Sequence, residues 1–243
     1  MPQLHNETVN VWTHLLGCAG FVTMLFYVAD ATCDAEGEGG AVGAECLERW
    51  PLYVFLTSAT VCLGTSTVYH LFGTANEKWE IALRNVDYAG IVSLIVGSCA
   101  PVVQYGFGDA YPLTRLVYML AIGGLGAAVL VCSLTPWFDR HNGLRIALFV
   151  ALALSGVVAL LHAMVAHDFS PRVVSMLHGV LAMGGTYLLG VGVYATHFPE
   201  SLRPARTFDL IGSSHCIWHV CVVLAALRHY STVVALWRDS AHG

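Results

Sequence analysis

Seven stretches of predominantly apolar residues divide this 243-residue chain. Each is about 20 residues long, which is enough to cross the hydrocarbon core of a membrane as a helix. Only 11% of the residues are charged, whereas a soluble domain normally has about 25%. The sequence therefore predicts an all-α integral membrane protein with seven transmembrane helices. The predicted spans are 11–29, 51–73, 86–107, 112–134, 143–166, 173–195 and 211–237.

The loop cations predict how this bundle is oriented, because cytoplasmic loops carry an excess of Lys and Arg. The even-numbered loops hold one more cation than the opposite side, or two more if Arg228 belongs to a span. This places the N-terminus and the even loops in the cytosol, and the C-terminus in the extracellular space or lumen. The chain then divides into a short cytosolic N-terminus (1–10), the membrane domain (11–237) and a tail (238–243), in the plasma membrane or an endomembrane.

Two further compositional features limit partners and covalent links. The net charge of −5 and the lack of a basic tract give no sign of nucleic-acid binding, so no nucleic-acid partner is expected. Cys33 and Cys46 lie in the polar loop 30–49. They form a disulfide if that loop faces an oxidising compartment and the geometry allows it, and otherwise they are free thiols.

Residues 215–219 read HCIWH, and a helix places the two histidines of this segment on one face. The pair alone is compatible with half of a metal site, a proton relay, or two tolerated polar side chains. It is not the HExxH motif of zinc proteases, because Cys216 stands where that motif has its glutamate.

The predicted topology brings more polar residues to the depth of this pair. Span 2 ends with Ser66 and His70, and span 3 starts with Asp87. Ionisable groups within spans are costly and tend to mark function. The start of span 1 contributes Asn6, Glu7, Asn10 and His14.

Three imidazoles with an open fourth position are a known catalytic zinc set. His70, His215 and His219 are therefore the candidate metal ligands, and the alternative is that they are structural or interfacial histidines at helix ends. Asp87 is interpreted either as a fourth ligand or as a general base. Ser66 is interpreted as a side chain that positions a ligand or donates to a developing oxyanion.

The other polar residues of the spans receive structural interpretations. His162 and His178, in the outer parts of spans 5 and 6, are predicted to pack or to hydrogen-bond between helices. His14 is assigned to a polar network at the start of span 1. Glu7 is expected to accept hydrogen bonds from backbone groups or from Arg84.

Four segments resemble blocks of the progestin and adipoQ receptor family, a haemolysin-III-related group that includes the adiponectin receptors. The segments are NETVNVWTHLLG (6–17), STVYHLFG (66–73), RNVDYAGI (84–91) and FPESLRPARTFDLIGSSHCIWHVCVV (198–223). The resemblance implies seven helices with a cytosolic N-terminus, and a zinc ion near the cytosolic leaflet on His70, His215 and His219. It also implies that Asp87 holds the water at the zinc, and that Ser66 lies just outside the residues that contact the ion.

The same resemblance implies two functions. Adiponectin receptors are linked to ceramide hydrolysis, so the first is a zinc-dependent amidohydrolase that acts on a ceramide-like membrane lipid and releases a fatty acid. The second is a receptor for an extracellular hormone or steroid, in which the zinc is structural and nothing is catalysed. A transporter or channel is disfavoured, because no charged pair lies in mid-membrane and no inverted repeat is visible.

Overall fold

The computed structural model describes residues 7–33, 49–73, 76–202 and 212–241. All regular structure within these residues is helical. Seven helices are long and apolar enough to cross a membrane, which confirms the predicted all-α, seven-helix fold. They are α1 Thr8–Cys33, α2 Trp50–Phe72, α3 Glu77–Phe107, α4 Pro112–Ser133, α5 Asn142–Ala166, α6 Pro171–Ala195 and α7 Ser214–Ala241. A single helical turn, Pro136–Asp139, joins α4 to α5, and a 3-10 turn, Glu200–Leu202, follows α6.

Helix α3 begins well before the apolar run that predicted it. Asn76 caps the helix, since its side chain accepts a hydrogen bond from the Lys78 amide at 2.8 Å. In the charged first turns, Arg84 donates to Glu80 at 3.2 Å, one turn away. Because these turns are polar, hydropathy alone detects only the later part of α3. Asp87 therefore lies within the helix and not at its start.

Helix α3 is also the centre of the bundle, where it contacts α2 and all four helices from α4 to α7. Its approach to α2 is close because two glycines face that helix. A Cβ at Gly97 would clash with Ser58, and a Cβ at Gly90 would lie 3.0 Å from the Cα of Cys62. This contact holds the end of α2 beside the first half of α3, which is where Ser66 and Asp87 lie.

The outer surface of the bundle is apolar. Large side chains such as Phe26, Leu120 and Leu189 are exposed on it. A soluble protein rarely exposes apolar patches of that extent, whereas hydrocarbon is a suitable solvent for such a surface. We call the end of the bundle at which α1 terminates the far end.

One sequence prediction is confirmed at the far end of the bundle. His162 Nδ1 lies 3.1 Å from the Tyr118 hydroxyl, which confirms the predicted hydrogen bond between helices. Cys46 and the side chain of Cys33 lie outside the described residues, so their disulfide stays a prediction. The orientation of the termini across the membrane stays a prediction as well.

A candidate metal centre at one end of the bundle

Three histidine side chains converge where α1, α3 and α7 begin and α2 ends, which we call the site end. His70 lies in the last turn of α2, and His215 and His219 lie in the first two turns of α7. Nε2 of His215 is 3.4 Å from Nε2 of His70 and 3.2 Å from Nε2 of His219. Each of the three side chains offers a ligand nitrogen within 4.8 Å of the other two.

These spacings fit a tetrahedral metal ion. Zinc–nitrogen bonds of 2.0–2.1 Å place two ligands of a tetrahedron about 3.3–3.4 Å apart. His70 and His219 are buried, and His215 is half-buried. Neutral imidazoles suit a borderline-soft dipositive ion such as zinc, so the three residues fit the ion that the resemblance implies.

Glu7, just before α1, determines which nitrogen of His70 is available. Its Oε2 lies 2.6 Å from His70 Nδ1 and accepts a second hydrogen bond from Asn10 at 2.7 Å. The hydrogen bond with His70 is the main cause that lowers the Glu7 pKa to about 2, although burial opposes it. An ionised carboxylate only accepts, so Nδ1 carries the proton and Nε2 keeps its lone pair. A carboxylate in this place commonly orients a metal-binding histidine.

The start of α7 is fixed by a side chain from the 3-10 turn that follows α6. Oε1 of Glu200 accepts hydrogen bonds from the Ser214 amide at 2.7 Å and the Ser214 hydroxyl at 2.9 Å. A carboxylate at a helix N-terminus satisfies a free amide and complements the helix dipole. The ring of Tyr194, from the end of α6, packs 5.7 Å from that of His215. Both contacts hold the first turn of α7, and with it His215.

Asp87 and Ser66 lie beside the three histidines on α3 and α2. The carboxylate of Asp87 interacts with the Ser66 hydroxyl and lies within electrostatic reach of His70. Ser66 is buried, one turn before His70 on the same helix. The structure thus brings together all five residues that the sequence singled out, with the carboxylate beside the cluster.

A fourth histidine also belongs to this region. The ring of His14, from α1, packs against that of His219 with centroids 3.8 Å apart and planes inclined by 31°. His14 is 4% exposed. The sequence analysis had assigned it to a network at the helix start, and its place against a candidate ligand is a finding of the structure.

A cavity of about 380 Å³ lies at the site end, and of the three histidines His70 lines it. Water in this cavity can therefore approach His70. The carboxylates of Glu7, Glu77 and Glu80 make the lining acidic. Tyr69, Gly73 and Asn76 complete the lining.

Comparison with known proteins places this chain in a family. The sequence model described as "Haemolysin-III related" matches residues 2–230. The chain belongs to this family. It is 34% identical to heptahelical transmembrane protein 1 of Arabidopsis thaliana, over 97% of this chain and 71% of that protein. It is 39% identical to heptahelical transmembrane protein ADIPOR2 of Oryza sativa subsp. japonica, over 82% and 87% of the two chains.

A third relative is named as a receptor. The chain is 32% identical to the adiponectin receptor protein of Drosophila melanogaster, over 97% of this chain and 52% of that protein. These matches confirm the predicted membership of the progestin and adipoQ receptor family. Together with the seven apolar helices, they establish a multi-pass integral membrane protein.

The sequence does not predict the contacts of two glutamates at this site. Glu7 was recognised as a polar residue at the right depth, but its partner His70 was not identified. Glu200 was not singled out, although its carboxylate caps α7. Glu200 precedes Ser214 by 14 residues, so no local helix-start signal identifies it, and the pairing of Glu7 depends on the packing of α1 against α2.

The contact between Glu7 and His70 gives the first testable prediction. Glu7→Ala should weaken zinc binding by about 10- to 100-fold, because His70 loses the acceptor that orients it. Glu7→Gln should have a smaller effect, since its amide oxygen still accepts a hydrogen bond. Zinc competition titrations of the purified variants measure both. Glu80→Ala is the matched control: Glu80 lines the same cavity but pairs with Arg84. An unchanged zinc affinity in Glu7→Ala would refute this role.

Proposed function

We propose that this chain is a zinc-dependent hydrolase that cleaves the amide bond of a ceramide-like lipid within the membrane. The observation that best supports the proposal is the convergence of three Nε2 atoms at 3.2 and 3.4 Å, spacings suited to zinc. A carboxylate lies beside them, and the surrounding helices are apolar. These are the elements that metal-assisted hydrolysis of a membrane lipid requires.

The chemistry divides between the metal and the protein. His70, His215 and His219 would hold a zinc ion, which would polarise a carbonyl oxygen and lower the pKa of a nearby water toward neutrality. In the proposed reaction, Asp87 accepts a proton from the attacking water and transfers it to the departing amine nitrogen. Ser66 holds the Asp87 carboxylate through its hydroxyl. Water is added across the amide bond, which yields a fatty acid and an amine.

The depth of the cluster supports a lipid substrate. His70 lies in the last turn of α2, and His215 lies in the first turn of α7. The ends of transmembrane helices lie near the headgroup region of a bilayer. The amide bond of a ceramide-like lipid is close to its headgroup, so the bond and the cluster would meet at the same level. In the predicted orientation, this level is the cytosolic leaflet.

A receptor with a structural zinc is the second candidate function, and one observation favours it. The three histidines come from α2 and α7, so a bound ion would tie together two helices that are far apart in the sequence. A structural metal stabilises a fold in this way. A relative is also named as an adiponectin receptor protein. In this alternative, a hormone or steroid binds the chain and no lipid is cleaved.

Removal of the metal tests the proposed function. Purified protein in lipid nanodiscs should release fatty acid from a long-chain ceramide when loaded with zinc. It should lose this turnover after chelation and recover it when zinc is added back. The melting temperature of both forms is measured in parallel. If the zinc-loaded protein releases no fatty acid, and chelation lowers only the melting temperature, the structural alternative is correct and the hydrolase proposal is wrong.

A further inference from the structure

The two buried histidines of the cluster are held in different ways. His70 has a carboxylate on its Nδ1. His219 has no hydrogen bond on its Nδ1 to any of the residues that the structure describes. The backbone of Asn10 is close to His219 but does not meet hydrogen-bond geometry. A histidine that binds a metal nearly always has its second nitrogen held, so another contact must orient this ring.

The contact present at His219 is the ring of His14. The two rings touch face to face in a tilted arrangement, with centroids 3.8 Å apart and planes inclined by 31°. Both rings are almost completely buried, at 4% and 2% exposure, so they have little freedom to separate. One turn further along α1, a Cβ at Gly17 would lie 3.0 Å from Leu63 and 3.1 Å from Val223. This close approach to α2 and α7 fixes the backbone that carries His14.

The nitrogens of His14 do not account for its place beside His219. The backbone of His219 is close to the His14 ring, but neither ring nitrogen of His14 meets hydrogen-bond geometry with a described residue. A buried polar group without a partner costs about 1–3 kcal/mol. The observation that bears on His219 is therefore the ring contact itself, which a phenyl ring at position 14 would also supply.

We propose that His14 is a positioning residue that fixes the plane of the His219 ring by stacking, and thereby sets the direction of the His219 Nε2 lone pair. The proposal rests on the metal site of the proposed function. His14 is not itself assigned as a ligand, since the nitrogens that converge belong to His70, His215 and His219. The segment that starts α1 then supports the cluster twice, through Glu7 on His70 and through His14 on His219.

Three substitutions separate the stacked ring from its nitrogens. His14→Phe keeps an aromatic ring and removes both nitrogens, His14→Leu keeps bulk without a ring, and His14→Ala removes the side chain. Zinc affinity should fall by about 10- to 100-fold in His14→Ala and His14→Leu, and stay within a few-fold of the wild-type value in His14→Phe. The d–d spectrum of the cobalt-substituted protein should change in the first two and stay unchanged in His14→Phe. The melting temperature of the metal-free proteins shows whether each variant folds.

The outcomes distinguish this inference from the proposed function. If His14→Phe loses affinity as His14→Ala does, the nitrogens matter and stacking is not the cause. If all three variants bind zinc and cobalt as the wild type does, His14 does not position His219. Both results overturn the inference while the metal site remains. If the wild-type protein binds neither ion, the metal site itself is wrong. If His14→Ala and His14→Leu do not fold, the zinc affinity of His14→Phe still tests the inference, because a large fall in that affinity overturns it.

Discussion

Replacing His215 with alanine is expected to reduce the zinc content from about one ion per chain to a small fraction of one, and to abolish lipid hydrolysis. The Nε2 of His215 stands between those of its two neighbours, at 3.4 Å from His70 and 3.2 Å from His219. Its loss leaves two ligands on different helices, and two imidazoles do not form a closed zinc site. Metal analysis of the purified variant, together with ceramide turnover, measures both effects.

A matched histidine at the far end of the bundle provides the control. His162 lies on α5, where it contacts the Tyr118 hydroxyl. His162→Ala should keep full zinc content and turnover. A His215→Ala protein that retains about one zinc ion would show that the metal binds elsewhere. A wild-type protein without zinc would contradict the metal site altogether.

The parts of the fold that the sequence predicted are those that depend on hydropathy. Seven apolar runs correspond to seven helices, because a membrane span needs a minimum length of apolar residues. The same reasoning misplaced the start of α3. Its first turns are charged and are stabilised by the Asn76 cap and the pair between Glu80 and Arg84. A hydropathy run cannot report a helix that continues into the polar headgroup region.

The candidate site was predictable where helix periodicity and topology determine it. The spacing of four residues puts His215 and His219 on one face, and the alternating direction of the spans brings His70 and Asp87 to the same end. The partners of these residues were not predictable. Glu7 and His14 contact the cluster because α1 packs against α2 and α7, and the rotation of a helix against its neighbours is not encoded in hydropathy.

The Asp87→Asn substitution is expected to lower ceramide hydrolysis by about 10²- to 10⁴-fold, the usual contribution of a general base. An asparagine keeps the shape of the side chain and its contact with Ser66, but it cannot accept the proton. Zinc content and melting temperature should stay at the wild-type values, because the three imidazoles remain. Turnover of a long-chain ceramide by zinc-loaded protein in nanodiscs measures the effect.

Asp109→Asn is the matched control, since Asp109 is a carboxylate at the far end of the bundle that pairs with Arg115 at 3.0 Å. It should turn over ceramide at the wild-type rate. Full activity in Asp87→Asn would assign the base to another residue. A loss of zinc together with activity would instead make Asp87 a fourth ligand, the other role that the sequence left open. The zinc content of this one variant therefore distinguishes a carboxylate that moves protons from one that binds the metal.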